Sequence, residues 1–201
     1  MSHSPFDLKN QQLSTDGKIV VALERISEAF KVLLWNESKA TDLSPIQIQM
    51  LIFLRFHPQE MAKVSYLAKE FNLTKATVSD SVKTLIRKSL IEKVYDQADS
   101  RSFTMRLTQS GNDIAERSAN FADAIESPVS NLSQRDKDKL LSSLLNIIGD
   151  LRNENVIALQ RMCFTCSHYS TSDKRHYCNL LNTELSNVHL RIDCQDHEEL
   201  E

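Results

Sequence analysis

The stretch that decides the fold runs from residue 72 to residue 93 and reads NLTKATVSDSVKTLIRKSLIEK. Its apolar residues recur at intervals of three and four, which is the spacing of a helix with one buried face: Val78, Val82, Leu85 and Ile86. The opposite face is small, polar and basic, and its candidate contact residues are Thr74, Lys75, Thr77, Ser79 and Lys83. Hydroxyl and ammonium groups at the exposed start of a helix suit base edges and phosphates in a major groove. The stretch therefore predicts a DNA-recognition helix, with Thr74 as its N-cap.

The segments on either side of this helix complete a known motif. Residues 64–71, VSYLAKEF, form a shorter amphipathic segment, and only Asn72-Leu73 separate it from the recognition helix. That order predicts a helix-turn-helix over about 63–89. Residues 90–107 then read as two short strands around a polar loop at 96–102, because Phe103, Met105 and Leu107 alternate with polar residues. The sequence predicts a β-wing that carries Arg101.

The remaining periodic segments predict further helices around this motif. We expect a long first helix from Asp16 to about Lys39 and a second helix over 46–56, after the N-cap signal Ser44-Pro45. Another helix is expected from 108–111 to about 127, interrupted at Pro128. A last helix begins at the cap Ser133, and its apolar residues continue to position 159. Its wide apolar face favours burial against a second subunit, with a large intrachain core as the alternative.

The expected fold class is mainly α (α+β): a winged helix-turn-helix with long terminal helices and a small cysteine-rich tail. Residues 1–14 are polar and unpatterned and are expected to be disordered, residues 15–160 form the winged-helix domain, and residues 161–201 form an appended module. With 41% hydrophobic residues among 201, the chain can bury one core. It shows no apolar stretch near 18–20 residues and no charged-then-apolar leader, so we expect a soluble, cytoplasmic protein.

The charge is distributed unevenly along the chain. The formal net charge is −3, yet residues 62–107 carry nine Lys or Arg against five Asp or Glu. Residues 108–201 carry nine against fifteen. Attraction to phosphates would therefore be confined to the motif and sensitive to salt. A local basic excess is also common on ordinary solvated surfaces.

Residues 16–160 resemble the MarR family of winged-helix transcriptional regulators. The resemblance lies in the order of five pieces: LSPIQIQML at 43–51, LA at 67–68 with TVS at 77–79, LIRKSLI at 85–91, D-x-x-D-x-R at 96–101, and L-T-x-x-G at 107–111. It implies a homodimer built from the first and last helices, which binds double-stranded DNA at a pseudo-palindromic operator. It also implies that Arg101 enters the minor groove while Asp99 orients it. The alternative is that Asp99 and Arg101 form an ordinary surface salt bridge without a role in DNA binding.

Two details of the resemblance bear on function. The family usually has glycine where Ser89 stands, just before the first wing strand, so the preceding helix ends here by Ser or by a different turn. A family-type small-molecule effector would bind between the dimer helices and the DNA-reading part, where Phe30, Leu34, Trp35 and Phe53 could line a pocket. Aromatic residues at helical spacing are, however, more often plain core.

All four cysteines lie in the last 39 residues, with the spacing C-x2-C-x11-C-x15-C: Cys163, Cys166, Cys178 and Cys194. Without a secretion signal, clustered thiols in a reducing compartment indicate metal or redox chemistry ahead of structural disulfides. Four thiolates can complete a tetrahedral site for zinc. An iron–sulfur cluster is about equally plausible, because zinc ribbons usually show two C-x2-C pairs, and free or switching thiols are a third reading. His168, His176, His189 and His197 are additional candidate ligands or surface residues.

These features favour a DNA-binding regulator over an enzyme, and modulation by a ligand or by the state of the cysteine site is a further expectation. The sequence contains no P-loop, no H-E-x-x-H and no G-x-S-x-G, and four cysteines leave no open coordination position for a substrate. The alternatives are a small redox or metal-dependent enzyme on a winged-helix scaffold and a winged-helix module that binds proteins. Salt-steep duplex binding that is lost on Arg101→Ala would argue against the last of these.

Overall fold

The computed structural model describes residues 4–11, 14–95, 102–158, 161–172 and 175–199. Its α-helices are α1 Leu8–Gln11, α2 Thr15–Thr41, α3 Pro45–Phe56, α4 Val64–Glu70, α5 Lys75–Arg87, α6 Gln109–Ser118, α7 Asp123–Ser130 and α8 Gln134–Asn153. Its strands are β1 Ile91–Tyr95, β2 Phe103–Leu107, β3 Tyr169–Ser172, β4 Arg175–Cys178 and β5 Thr183–Leu185. The architecture is a winged helix, as the sequence predicts. Helix α1 adds one helical turn inside the segment 1–14, for which the sequence predicts no fold.

Side-chain caps begin the helices where the sequence places them. Ser44 forms a capping box with Gln47, and Pro45 occupies the first helical position of α3. Thr74, Thr108 and Ser133 accept hydrogen bonds from the backbone N–H groups of the first turns of α5, α6 and α8. Each cap satisfies a helix donor that would otherwise have no partner.

Four helices end at residues with left-handed backbone conformation: Asp42 follows α2 with a φ of 53°, and the other three share one hydrogen-bond pattern. Asn72 after α4, Ser89 after α5 and Asn155 after α8 have φ of 52°, 56° and 57°. In each case the next residue donates its N–H to a carbonyl five positions earlier, as Leu90 does to Leu85 at 3.0 Å. This is the Schellman arrangement, which usually has glycine at the left-handed position. Helix α5 therefore ends in the usual Schellman geometry, although serine adopts the left-handed conformation less readily than glycine does.

Two predicted helix boundaries are wrong. The helix expected to run to about 127 ends at Ser118, and α7 follows a turn at residues 119–122 and contains Pro128 without stopping there. Phe121 in that turn packs against the hydrophobic core of the winged helix and meets Phe30 edge-to-face at 6.3 Å, so tertiary packing sets this break. Helix α8 ends at Asn153 because Asn155 terminates it, so its apolar pattern beyond that point is not helical.

The core of the winged helix lies between α3, α4, α5 and the wing. Ile48, Met50, Leu51, Leu67 and Leu85 are fully buried there. The two wing strands pair antiparallel from Ile91 opposite Leu107 to Tyr95 opposite Phe103. We call residues 43–118 the head. Its core fixes the angle between α4 and α5, and hence the surface that α5 presents.

Residues 161–199 form a separate small unit, the cysteine module. Strands β3, β4 and β5 make an antiparallel three-stranded sheet, which the sequence analysis does not predict. Leu145 of α8 packs with Met162 and Leu190 of the module, and these three are the buried residues of a small second cluster. The module thus rests on the last long helix.

Helices α2 and α8 leave much apolar surface uncovered. Only Leu34 is buried among the 27 residues of α2, and only Leu145 among the 20 of α8. The large apolar side chains exposed on α2 are Ile19, Val20, Ile26, Phe30, Val32 and Trp35, and those on α8 are Leu140, Ile147 and Leu151. Apolar surface of this extent on long helices indicates an interaction face. Within the described residues, no helix combines the length and apolarity that a membrane crossing requires.

Candidate nucleic-acid interface and cysteine cavity

The exposed face of α5 carries the predicted contact residues. Thr74, Lys75, Thr77 and Lys83 are exposed and Ser79 is half-buried. The opposite face supplies Val78, Val82 and Leu85 to the core, which makes the two-sided pattern of the sequence a real division between core and solvent.

Several of these groups already have partners within the chain. The Thr74 hydroxyl accepts a hydrogen bond from the backbone N–H of Thr77 at 3.1 Å, and the two hydroxyl oxygens lie 2.9 Å apart. Lys83 forms an exposed ion pair with Asp80 at 2.9 Å. No described residue pairs with the ammonium of Lys75. An exposed ion pair is weak and easily exchanged for a phosphate, so both lysines remain available to an anionic ligand.

The wing stem is well defined, whereas its tip lies outside the described residues. Arg106 on β2 pairs with Glu92 on β1 at 2.8 Å, and the ammonium of Lys93 lies 4.4 Å from the centre of the Phe103 ring. The predicted pair Asp99 and Arg101 belongs to the part of the loop that the structure does not describe. Their roles remain predictions that come from the family resemblance.

The four candidate pocket residues of the long helices separate into two pairs. Leu34 and Phe53 are 7% and 5% exposed and belong to the core. Phe30 and Trp35 are 37% and 55% exposed on α2. The alternative reading as plain core therefore holds for Leu34 and Phe53.

All four cysteines line one cavity of about 30 Å³ in the cysteine module. Cys163 begins a 3₁₀ turn, and the backbone N–H of Cys166 donates to the carbonyl of Cys163 at 3.1 Å, so the C-x2-C pair forms a tight knuckle. Cys178 ends β4, and Cys194 lies on the closing loop. The apolar side chains of Leu180, Leu181 and Leu185 complete the lining. A cavity of this size has room for an ion and not for a large organic ligand.

Hydrogen-bond donors point at two of the four sulfurs. The backbone N–H of Arg191 donates to Sγ of Cys163 at 3.2 Å, and its guanidinium donates to Sγ of Cys194 at 3.3 Å. Burial raises the pKa of the Cys163 thiol, the Arg191 N–H opposes that change, and the charges of the other three cysteines raise the pKa further. The hydrogen bond to Cys194 and the charge of the Cys194 thiolate raise the pKa of Arg191. Donors around clustered sulfurs stabilise thiolates, which are the metal-binding form of cysteine.

The four histidines of the module differ in their positions. His168 and His189 line the cysteine cavity. His176 is hydrogen-bonded to the Tyr169 hydroxyl at 2.5 Å, and His197 to the Thr165 carbonyl at 3.0 Å. Burial is the main cause that lowers the pKa of His197. Among the described residues, no group of three or more His, Cys, Asp or Glu side chains is yet arranged to hold a metal ion. The donor set suits a thiophilic ion, which would have to draw the sulfurs inward.

A buried arginine that sequence reasoning missed joins the module to the head. Arg161 is 6% exposed, and its guanidinium contacts Asp193 of the module as well as Glu70 and Tyr66 of α4. Burial disfavours its charge, but the hydrogen bonds and charges of Asp193 and Glu70 outweigh that effect and raise the pKa of Arg161. Burial likewise works against the charge of Asp193, yet Arg161 and His57 hold the pKa of Asp193 below its usual value. No local sequence pattern marks Arg161, because its partner Glu70 is 91 residues away.

Comparisons with known proteins agree with this architecture. A family model described as MarR family matches residues 41–102, which span the helix-turn-helix and the first wing strand. The MepR–DNA complex of Staphylococcus aureus is 27% identical to this chain, with a TM-score of 0.58, and the match covers 66% of this chain and 97% of that one. A second structure of S. aureus MepR, a transcription regulator of the multidrug efflux pump MepA, is 26% identical with a TM-score of 0.51, covering 65% and 96%. No curated protein sequence matches this chain.

A further solved structure supports the fold alone. FabT of Streptococcus pneumoniae in complex with DNA is 24% identical with a TM-score of 0.59, and the match covers 68% of this chain and 97% of that chain. These proteins match almost over their whole length, whereas about a third of this chain has no counterpart in them. The chain is therefore similar to them in its winged-helix part and carries additional residues.

Proposed function

We propose that this chain is a MarR-family transcriptional regulator, not an enzyme, which binds double-stranded DNA as a homodimer. The observation that carries the proposal is the division of α5 into a buried apolar face and an exposed face of Thr74, Lys75, Thr77 and Lys83, next to an antiparallel wing. This is the arrangement that a winged helix uses to enter a major groove. The DNA complexes of the similar proteins MepR and FabT lend support.

The dimer part of the proposal relies on the uncovered apolar faces of α2 and α8. Ile26, Val32 and Trp35 on α2 are about half exposed, and Leu140 and Leu151 on α8 are each about two-fifths exposed. Burying them against the same faces of a second copy would place two recognition helices on two half-sites related by twofold symmetry. A pseudo-palindromic operator follows from that symmetry.

The experiment is selection of a binding duplex from a random pool, followed by measurement of affinity against salt concentration and of mass by light scattering. We expect a dimer that prefers a pseudo-palindrome and whose affinity falls steeply with salt. Lys75→Ala should flatten the salt dependence by about one unit of slope, because one phosphate contact is lost. Lys31→Ala is the control, since Lys31 is a similarly exposed helical lysine, paired with Glu28 at 3.3 Å, on a different helix. A chain that binds no duplex, or equal loss in both variants, would contradict the proposal.

The wing is expected to contribute to duplex affinity separately from α5. Because the resemblance implies that Arg101 reaches the minor groove and Asp99 orients it, Arg101→Ala should weaken binding to the selected duplex, and Asp99→Ala should weaken it less. Retained duplex affinity in Arg101→Ala, together with retained binding of a protein partner, would favour the protein-interaction alternative.

The finer part of the proposal concerns control. The cysteine cavity binds zinc or an iron–sulfur cluster through Cys163, Cys166, Cys178 and Cys194, and its state, or a small-molecule effector, modulates DNA affinity. Support comes from the four sulfurs around one ion-sized cavity and from the donors that Arg191 directs at two of them. A soft metal or cluster is the expected occupant of such a sulfur set.

The test of this part is the content of zinc, iron and acid-labile sulfide per chain in anaerobically purified protein. One zinc per chain without sulfide identifies a zinc site, and iron with matching sulfide identifies a cluster. Absence of all three from protein purified with and without added zinc or iron would contradict metal binding and return the module to thiol chemistry.

A further inference from the structure

The contact between the cysteine module and the head is built around one desolvated guanidinium. Nε and one terminal nitrogen of Arg161 donate to the two carboxylate oxygens of Asp193 at 2.6 and 2.7 Å. The other terminal nitrogen donates to the Glu70 carboxylate at 2.5 Å and to the Tyr66 hydroxyl at 2.8 Å. We call Tyr66, Glu70, Arg161 and Asp193 the clasp. The guanidinium thus donates to the module along one edge and to α4 along the other, and the terminal nitrogen that binds Asp193 also lies 3.5 Å from Glu70.

Aromatic rings enclose the clasp on the head side. The guanidinium carbon lies 5.6 Å from the centre of the Phe53 ring and 5.7 Å from that of Tyr66. His57 stacks on Phe53 at 3.8 Å, and its Nε2 lies 2.8 Å from the Asp193 carboxylate. The Arg161 side chain is only 5% exposed, so removal of either carboxylate leaves a buried charge with half its partners. The contact therefore requires one specific geometry, and it weakens if either the cysteine module or α4 shifts.

The clasp residues of the module are next to the cysteines. Asp193 immediately precedes Cys194, and the backbone N–H of Cys194 donates to the carbonyl of Arg161 at 2.9 Å. Arg161 precedes Cys163 by two residues, and the N–H of Cys163 donates to the carbonyl of Arg191 at 3.0 Å. Two of the four cavity sulfurs thus sit on the segments that hold the two module members of the clasp. A change that draws these sulfurs together, or releases them, moves Arg161 and Asp193.

The clasp residues of the head belong to the helix that positions the recognition helix. Tyr66 and Glu70 lie on α4, and α4 leads through the left-handed turn at Asn72 into Thr74, the N-cap of α5. Phe71, next to Glu70, packs edge-to-face on Phe53 at 6.0 Å. The path from the cavity to α5 therefore stays within one subunit and does not require the dimer helix α8.

We infer that the clasp couples the state of the cysteine site to the DNA affinity of the recognition helix in the same subunit. This inference rests on the proposed function, because it takes the chain to bind DNA and the cavity to bind a metal or cluster. When the cysteine site holds its metal or cluster, the module holds α4 through Arg161. When the site is empty, Asp193 and Arg161 lose their fixed spacing and α4 is released from the module.

The test compares the full chain as purified with the same chain after metal removal by a chelator in the presence of reductant. The readout is the ratio of the two affinities for the selected duplex, with metal content and dimer mass measured alongside. We expect a ratio of at least about fivefold in the unaltered chain, a usual size for coupling between two sites. In Glu70→Gln the ratio should fall below about twofold, while metal content and mass stay unchanged.

Glu116→Gln is the matched control. Glu116 pairs with Arg55 at 3.3 Å, a partly buried arginine whose hydrogen bonds among the described residues stay within the head. This variant removes the same charge, from a carboxylate that is more exposed (63%) than that of Glu70 (20%), and should keep the full ratio. A full ratio in Glu70→Gln would overturn the inference and leave α8 and the dimer interface as the route.

A second measurement does not depend on DNA. Metal removal should speed amide hydrogen exchange in residues 161–199 and in α4 of the unaltered chain, but only in residues 161–199 of Glu70→Gln. Unchanged exchange in α4 of the unaltered chain would overturn the clasp even if the protein binds DNA. Failure to bind any duplex, with the expected exchange pattern intact, would instead contradict the proposed function and not the clasp.

Discussion

The head and the cysteine module are stabilised in different ways. Within the described residues, the cluster that forms the head's core contains sixteen buried apolar side chains, fifteen from the head and Leu34 from α2, whereas the cluster under the module contains three. The head can therefore hold its fold through hydrophobic burial. The module, with exposed Leu180, Leu181 and Val188, has too small a core for that and needs other links, such as the ion pairs of Arg161 and the metal site proposed above.

Because they are stabilised differently, the head and the cysteine module suit different tasks. A unit held by a large core keeps one shape under many conditions, which a DNA-reading surface needs. A unit held by a few polar links changes when one link changes, which suits a sensor.

The largest effect is expected from loss of one cavity cysteine. Cys163→Ser removes a proposed metal ligand and the acceptor of the Arg191 N–H, so residues 161–199 should lose their fixed structure. The head should keep its melting temperature within a few degrees. Site-resolved hydrogen exchange with thermal unfolding measures both regions. Ser170→Ala, an exposed change on β3 of the same sheet, should alter neither; full protection of the module in Cys163→Ser would refute the contrast.

The next effect is expected in the head. A Cβ at Gly111 would lie 1.9 Å from the carbonyl oxygen of Leu90, which is backbone and cannot swing aside. Gly111→Ala should therefore lower the free energy of unfolding of the head by about 3 kcal/mol or more. Gly17→Ala meets only ordinary contacts of 3.7 Å or more and serves as the control. Denaturant unfolding followed by circular dichroism measures the change, and equal stability of the two variants would refute this packing.

The docking of the module on α8 should depend on one side chain. Leu145 is 1% exposed between Met162 and Leu190, so Leu145→Ala leaves a cavity worth about 2 kcal/mol or more. We expect faster exchange where the module contacts α8, near Met162 and Leu190, and unchanged exchange in α4, because the clasp and the cysteine cavity keep their residues. Leu140→Ala on the same helix is the comparison, because Leu140 is 41% exposed within the subunit. Loss of head protection in Leu145→Ala would mean that the two regions unfold together.

The smallest effect concerns the end of the recognition helix. Ser89 has a φ of 56°, a left-handed conformation that costs a residue with a Cβ about 1 kcal/mol. Ser89→Gly should stabilise the head by up to that amount, whereas Ser65→Gly inside α4 should destabilise it by about 0.5–1 kcal/mol. Chemical denaturation distinguishes the two signs. A destabilising Ser89→Gly would contradict the assigned turn.

The fold of the head can be derived from the amino-acid sequence. Its signals are local: the three-and-four spacing in α5, the alternation in β2, and caps such as Thr74 and Ser133, each of which acts within a few residues. The winged-helix order follows from these signals, and so does the separation of a buried and an exposed face on α5. The break between α6 and α7 does not follow, because Phe121 is drawn into the core by residues far away in sequence.

Only the tertiary structure decided how the module meets the head. The spacing of the cysteines indicates a common site, but that all four line one cavity and that Arg191 serves two of them depends on the three-stranded sheet. The clasp joins residues 91 and 32 positions apart, and a pattern read along the chain carries no information about such pairs. Long-range contacts are fixed by how the elements pack, and so the route from the cysteines to the recognition helix is visible only in the folded molecule.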